Sequence, residues 1–115
     1  MLIEDDEGIR ETMAALLEDE GYAVAQAANG VDGLSRMRES PELCLVLLDL
    51  WMPLMNGWQL LAEMRADAAL AAVPVVIISA AGDHQAPEGV AAFLRKPIKL
   101  EALLEAVAKH ALRTP

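Results

Sequence analysis

The chain has 115 residues, near the commonest size of a single domain and long enough to bury one core. Apolar residues make up 55% and aromatic residues only 3%, so aliphatic side chains and methionine must form that core. The net charge of −9 would repel phosphates, which argues against direct nucleic-acid binding by this chain. No apolar run could span a bilayer and the start lacks a signal-peptide pattern, so we expect one cytoplasmic domain over residues 1–115 that does not bind membranes.

The first half of the chain alternates between predicted strands and helices. A short apolar run is followed by a stretch with apolar residues at helical spacing, and Gly21 is a suitable C-terminal cap for it. A second helix should end near Ser40-Pro41. The predicted elements are a strand at 1–3, a helix carrying Ile9, Met13, Leu16 and Leu17, a strand at 22–25 and a helix at 31–38.

The second half continues the alternation. Residues 43–48 form a continuous apolar run, as expected of a central parallel strand covered on both faces, and Cys44 within it should pack as a small hydrophobe. The later elements are a helix at 57–65, strands at 75–78 and 91–95, and a helix from Leu100 to about Leu112. The repeat predicts an α/β fold with a doubly wound parallel sheet of five strands.

Polar side chains stand at the carboxyl ends of four predicted strands: residues 4–6, Asp49, Ser79 and Lys96. Sites in open parallel sheets lie at this edge. Carboxylates gathered there repel one another and require a cation, and Mg²⁺ prefers carboxylate, phosphate and water oxygens. Asp5, Asp49 and a main-chain carbonyl after Asp49 can bind it, while Asp49 can attack phosphorus and Lys96 and Ser79 can hold phosphoryl oxygens.

Each of these residues also has a simpler explanation. Asp5 or Asp6 could be the N-cap of the first helix, Ser79 could bond to nearby backbone, and Lys96 could be an ordinary turn residue before Pro97. Their joint placement at successive strand ends nevertheless favours a phosphoryl-transfer site.

These residues resemble the response-regulator receiver family of bacterial two-component systems over essentially the whole chain. Residues 4–6 with Arg10 match the family's opening acidic motif, and residues 49–57, Asp-Leu-Trp-Met-Pro-Leu-Met-Asn-Gly, match its phosphoacceptor segment. Ser79-Ala80 and Lys96-Pro97 match its later motifs. The resemblance implies a flavodoxin-like, chemotaxis-regulator-like sheet in the order 2-1-3-4-5.

The resemblance also implies a role for individual residues. Asp49 would be the phosphoacceptor, assisted by Lys96 and Ser79, and Ser79 and Phe93 would form a switch. The Lys96-Pro97 peptide bond is often cis in the family. The implied contributors to Mg²⁺ binding are Asp5, Asp49, the main-chain carbonyl of Trp51 and, through a water, Glu4.

As a receiver, the chain would be a signalling domain that catalyses its own phosphorylation and dephosphorylation and acts on no other substrate. Its phosphodonor would be a histidine kinase or phosphotransfer protein, and its output would pass through another domain or protein. We expect a monomer or a weak dimer.

The crossover after Ser79 departs from the family pattern, because the sixteen residues between Ser79 and Lys96 are fewer than usual. A fifth strand at 91–95 leaves little beyond the roughly 10 to 12 residues that a whole parallel crossover needs. Gly82-Asp83 favours a turn, and Pro87 and Gly89 disfavour a helix. We therefore expect the fourth helix of the family to be shortened or absent.

Two other functions remain open. A haloacid-dehalogenase-type phosphatase also uses a strand-end Asp, Mg²⁺ and a lysine, but it needs an acid two residues after the nucleophile, where this chain has Trp51. A phosphorylation-independent interaction module would be favoured by the loss of site residues, yet Asp5, Asp49, Ser79 and Lys96 are retained.

Overall fold

The computed structural model describes residues 1–40, 43–52, 54–80 and 87–111. In chain order its elements are β1 (Leu2–Ile3), α1 (Glu7–Asp19), β2 (Gln26–Ala27), α2 (Gly30–Arg38), β3 (Val46–Asp49), α3 (Gly57–Ala66), β4 (Val75–Ser79), β5 (Ala92–Arg95) and α4 (Leu100–His110). None of these helices is both long and apolar enough to cross a membrane.

The five strands form one parallel sheet in the order β2-β1-β3-β4-β5. β1 lies between β2 and β3, while β4 pairs with β3 on one side and β5 on the other. The fold class and strand order expected from the sequence are therefore confirmed. Because all strands run the same way, their carboxyl ends meet along one edge of the sheet.

Helices cover both faces of the sheet. α2 and α3 pack on one face, where their apolar residues meet alternate side chains of the central strands, and α1 and α4 pack on the other. Within β4, Val75 and Ile77 face the α2–α3 side, and Val76 and Ile78 face the α1–α4 side. A strand buried on both faces explains the unbroken apolar runs in the sequence.

Capping side chains determine where three helices begin. The Asp6 carboxylate accepts a hydrogen bond of 3.0 Å from the Ile9 amide, so Asp6, and not Asp5, is the N-cap of α1. Asn29 caps α2, and Asn56 forms a capping box with Gln59 at the start of α3. Of the two residues considered as the N-cap of the first helix, Asp6 has that role, and Asp5 remains available at the strand end.

Two local predictions were wrong. The second strand was expected at 22–25 but lies at Gln26–Ala27, because the Tyr22 amide bonds to the Leu17 carbonyl and closes α1, and pairing with β1 starts only at Ala25. Cys44 was expected to be buried but is exposed, and it lies two residues before β3 begins at Val46.

The structure contains a fourth helix in chain order, α4, at Leu100–His110. The expectation that the fourth helix is absent is therefore wrong for this helix, which follows β5. The family helix expected to be short belongs to the crossover between β4 and β5. Of that segment, residue 80 and residues 87–91 contain no regular helix. Residues 81–86 lie outside the described residues, and the expectation for the crossover stays a prediction.

Gly57 allows α3 to begin directly beside the end of β3. A Cβ added there would lie 2.8 Å from the Leu50 Cα and 3.0 Å from the Asp49 carbonyl oxygen, both of them backbone atoms. The Gly57 amide also donates a hydrogen bond of 2.8 Å to the Leu50 carbonyl. The backbone around Asp49 therefore depends on the absence of a side chain at position 57.

We predict that Gly57→Ala lowers the free energy of unfolding by about 1–3 kcal/mol, because the added methyl group must displace backbone atoms. Gly8→Ala is the matched control, since its Cβ would meet only a side-chain oxygen of Asp6, at 3.4 Å. Urea unfolding of both variants measures the difference. Equal stability of the two variants would contradict this description of the β3–α3 junction.

Candidate functional site

Four strand ends bring polar side chains to one edge of the sheet. Glu4 follows β1, Asp49 ends β3, Ser79 ends β4 and Lys96 follows β5. Glu4 and Ser79 have no exposed surface, and Asp49 is 3% exposed. The residues expected at this edge are therefore present there, and three of them are buried in the protein.

The Lys96 ammonium group connects two buried carboxylates. Its Nζ lies 3.0 Å from Glu4 Oε2 and 3.2 Å from Asp49 Oδ2, and it donates a hydrogen bond to the latter. Burial alone would lower the pKa of Lys96, but its contacts with Glu4 and Asp49 outweigh that effect and raise the pKa above 10.5. Lys96 therefore stays positively charged in the neutral pH range.

Glu4 is the most strongly perturbed of these groups. Burial, together with the neighbouring charge of Asp49, raises the pKa of its carboxyl from 4.5 to about 7, although Lys96 acts in the opposite direction. The Asp6 amide donates to Glu4 Oε1 at 3.2 Å. Among the described residues no hydrogen-bond partner is found for the buried Oε2, whose contact with Lys96 is an ion pair.

Both oxygens of the Asp49 carboxylate are oriented by neighbours. The Trp51 amide donates a hydrogen bond of 3.1 Å to Oδ1, while Lys96 holds Oδ2. The backbone after Asp49 is fixed as well, since the Leu50 amide bonds to the Ile78 carbonyl at 3.3 Å. The carboxylate is therefore held in one orientation at the end of β3.

Ser79 lies at the neighbouring strand end. Asp49 is in register with Ile78, so Ser79 is one residue further along β4. The Ser79 carbonyl accepts a hydrogen bond of 2.7 Å from the Lys96 amide. The same residue thus contributes a hydroxyl group to this edge and anchors the backbone of the lysine.

The acidic side chains have the donor set of a site for a hard cation. Glu4, Asp5 and Asp49 each offer one carboxylate oxygen, and these oxygens lie within 4.8 Å of one another. Oxygen ligands of this kind are those that Mg²⁺ prefers. Three carboxylates lie here, and Lys96 supplies one ammonium group to balance them. In the described part of the chain the buried Glu4 Oε2 also has no hydrogen bond. Both observations fit an additional positive charge at this position.

The remaining predicted residues occupy more peripheral positions. Trp51 is 55% exposed and packs edge-to-face on Trp58, with 5.0 Å between the ring centroids. Its amide contacts Asp49, and no acid stands at this position, as a haloacid-dehalogenase-type phosphatase would need. Phe93 is half-buried in β5 beneath the Arg95 guanidinium, and the Lys96-Pro97 peptide bond is cis.

Two contributions to the site were not foreseen. Arg10 served only to align the acidic motif, yet its guanidinium contacts the main chain of Glu4. Gly57 was read only as part of a motif, yet the close approach of α3 to Asp49 requires it. The sequence shows Arg10 one turn into an amphipathic helix, close to the acidic motif, but the contacts of Arg10 with Glu4 and of Gly57 with the end of β3 are visible only in three dimensions.

A groove of about 860 Å³ lies beside this edge of the sheet. Lys96 and Asp6 line it next to the carboxylates, and apolar side chains from α1 and α4 continue it away from them. The acidic site therefore opens onto an apolar surface between α1 and the start of α4.

Comparison with known proteins gives a consistent result. The family model described as response regulator receiver domain matches residues 1–108. Protein PilH of Pseudomonas aeruginosa is 31% identical over 113 residues, which cover 93% of this chain and 92% of that protein. The transcriptional regulatory protein GlrR of Escherichia coli is 35% identical over 112 residues, but this chain spans only 24% of its length.

Solved structures agree with the sequence comparisons. A response regulator receiver domain protein from Clostridium thermocellum matches with a TM-score of 0.87 and 27% identity, covering 95% of this chain and 90% of that chain. A response regulator receiver protein from Pseudomonas putida gives a TM-score of 0.85 and 27% identity, with 94% and 93% covered.

We predict that replacing Glu4 by Gln changes how stability depends on pH in metal-free buffer. A carboxyl with a raised pKa keeps its proton in the folded chain after the unfolded chain has lost it, so the contribution of Glu4 to wild-type stability falls as pH rises from 4.5 towards 7. The unfolding free energy of Glu4→Gln relative to wild type should therefore rise by up to about 3 kcal/mol between pH 4.5 and 8.

Urea unfolding at several pH values measures this difference, and Glu11→Gln, which removes an exposed carboxylate from α1, is the control. A difference between Glu4→Gln and wild type that does not vary with pH would show that Glu4 does not carry the raised pKa.

Proposed function

Because the chain belongs to the response regulator receiver domain family, we propose that it accepts a phosphoryl group on Asp49 from a histidine kinase or phosphotransfer protein. The observation that carries the proposal is the Asp49 carboxylate, which is buried, oriented through both oxygens and joined to Lys96 at 3.2 Å. A nucleophile needs this fixed orientation, because a correctly held reacting group removes much of the entropic barrier.

The proposed step is a displacement at phosphorus. An Asp49 carboxylate oxygen forms a new O–P bond while the bond from phosphorus to the donor's leaving group breaks, and the leaving group takes the electron pair. Lys96 would contact the oxygens of the transferred group, and the contact of its ammonium group with the Asp49 carboxylate supports this role. The product is an acyl phosphate on Asp49.

The acidic residues would hold Mg²⁺ during this step. Asp5, Asp49 and the Trp51 main-chain carbonyl are the proposed ligands, and Glu4 would act through a water. When bound, the ion would offset the negative charge that gathers on the phosphoryl oxygens. Asp5 is suited to this role because it is exposed at the edge of the sheet, whereas Glu4 is buried and paired with Lys96.

Ser79 and Phe93 are the proposed switch. Ser79 stands at the end of β4 next to Asp49, and a phosphoryl group there would offer new acceptors to its hydroxyl. Phe93 is in register with Ile77 on the adjacent strand and is half-buried, so a change in the position of its ring would alter the exposed surface of β5. Movement of Ser79 would thereby change the surface near β5, where an output domain or protein could detect it.

The groove between α1 and α4 supports a protein as the phosphodonor. It reaches Lys96 at one end and is lined mainly by apolar side chains, among them Ile9, Met13, Leu100 and Leu103. Such a surface suits the apolar face of a partner helix. A donor docked there would present its phosphoryl group beside Asp49.

We predict that Asp49→Asn abolishes phosphorylation by acetyl phosphate in Mg²⁺, because an amide cannot act as the nucleophile. Phosphate-affinity electrophoresis of the treated protein measures the modified fraction. Asp6→Asn is the matched control, since the asparagine keeps the cap of α1 and should leave labelling close to wild type. Wild-type labelling of Asp49→Asn would remove Asp49 from the proposed role.

We predict that Mg²⁺ binds the unphosphorylated chain weakly and changes its tryptophan emission, because Trp51 supplies a ligand from its own backbone. Asp5→Ala should remove at least about nine tenths of the affinity, since it deletes one of two carboxylate ligands. Asp19→Ala, which removes an exposed carboxylate at the far end of α1, is the control. Identical titrations of wild type and Asp5→Ala would exclude Asp5 from the site.

A further inference from the structure

Arg10 makes a side-chain contact that the proposed phosphoryl transfer does not use directly. It lies one turn into α1, and its Nη1 donates a hydrogen bond of 2.8 Å to the main-chain carbonyl of Glu4. The Arg10 amide also donates to the Asp6 carbonyl at 2.9 Å, as the first turn of the helix requires. The arginine side chain therefore links α1 to the backbone of the acidic segment.

The Glu4 carbonyl belongs to the peptide group that joins Glu4 to Asp5. On the amino side of Glu4, the sheet fixes the backbone, because the Glu4 amide bonds to the Ala27 carbonyl at 3.1 Å. On the carboxyl side the last strand pairs of β1 are those of Ile3, so the sheet no longer restrains the chain. Because Glu4 is fully buried, its carbonyl needs a protein donor, which Arg10 provides.

Asp5 depends on this peptide group for its position. Its side chain is exposed, and no hydrogen bond or ion pair to another residue in the described ranges fixes its carboxylate. The orientation of the preceding peptide sets the direction in which the Asp5 side chain leaves the backbone. The carboxylate oxygens of Asp5, Glu4 and Asp49 nevertheless lie within 4.8 Å of one another.

We propose that Arg10 is a positioning residue for the metal site: its guanidinium fixes the Glu4–Asp5 peptide and so holds the Asp5 carboxylate beside those of Glu4 and Asp49. The inference rests on the proposed function, because it concerns the Mg²⁺ site assigned there. It adds a residue that touches neither the phosphoryl group nor the ion.

The charge of Arg10 and its hydrogen bond act on Mg²⁺ in opposite directions. A guanidinium close to the site repels a divalent cation, so loss of the charge alone would tighten binding. Loss of the hydrogen bond frees the peptide that carries Asp5, which would weaken binding. The sign of the change in an uncharged variant therefore shows which of the two effects is larger.

The experiment is a Mg²⁺ titration of the unphosphorylated full chain, followed by tryptophan emission. Arg10→Met keeps an unbranched side chain of good helix propensity but has neither donor nor charge, and it should bind Mg²⁺ about three- to tenfold more weakly than wild type. Arg10→Lys restores a donor and the charge and should recover part of the affinity. Arg36→Met, on the last turn of α2, is the control and should bind like wild type or slightly more tightly.

The outcomes separate the inference from the function on which it rests. If wild type responds to Mg²⁺, Asp5→Ala does not, and Arg10→Met binds as tightly as wild type or more so, the positioning role is overturned and the metal site stands. A lack of response in wild type would overturn both. Urea unfolding in parallel identifies a merely structural role, in which stability falls but the affinity of the folded protein does not.

If Arg10→Met does not fold, Arg10→Gln takes its place, because it is also uncharged and is too short to keep the same contact. Weaker Mg²⁺ binding by Arg10→Gln supports the inference, and equal or tighter binding overturns it.

Discussion

This edge of the sheet depends on the ion pairs that the Lys96 ammonium group forms with Glu4 and Asp49. Two carboxylates with almost no exposed surface lie 3.0 and 3.2 Å from this ammonium group, and burying two such groups side by side is costly without a compensating positive charge. Glu4, whose pKa is raised to about 7, shows that even this compensation is incomplete. The negative charge of the site is therefore only partly offset by Lys96, and a bound divalent cation or a movement of the lysine would change the electrostatic potential there.

The strand order makes this balance possible. β5 and β3 are separated by β4, so Lys96 stands about two strand spacings, or roughly 10 Å, from the backbone of Asp49 and must reach across the end of β4. The hydrogen bond from the Lys96 amide to the Ser79 carbonyl fixes the backbone position from which the lysine side chain extends. On the other side, Gly57 lets α3 begin directly beside the backbone of Asp49.

The sequence predicted the fold, and it predicted which polar residues share the carboxyl-end edge of the sheet, because both follow from local patterns. Apolar runs located β3 and β4, and polar residues directly after such runs must share one edge of a parallel sheet. The predicted position of β2 was wrong because Tyr22 and Val24 are residue types that favour strands, yet they lie before the pairing with β1 begins. The contact of Arg10 with Glu4 could not be predicted from spacing alone, since it depends on the exact angle at which α1 leaves the sheet.

The central claim is that the carboxylate held by Lys96 is the one that becomes phosphorylated. An acyl phosphate can be reduced by borohydride to an alcohol, which converts the modified aspartate into homoserine and marks its position permanently. Protein treated with acetyl phosphate and Mg²⁺, then reduced and digested, should yield homoserine at position 49 when its peptides are sequenced by mass spectrometry. Homoserine at position 5 or 6, or a phosphate that survives on Ser79, would contradict the account.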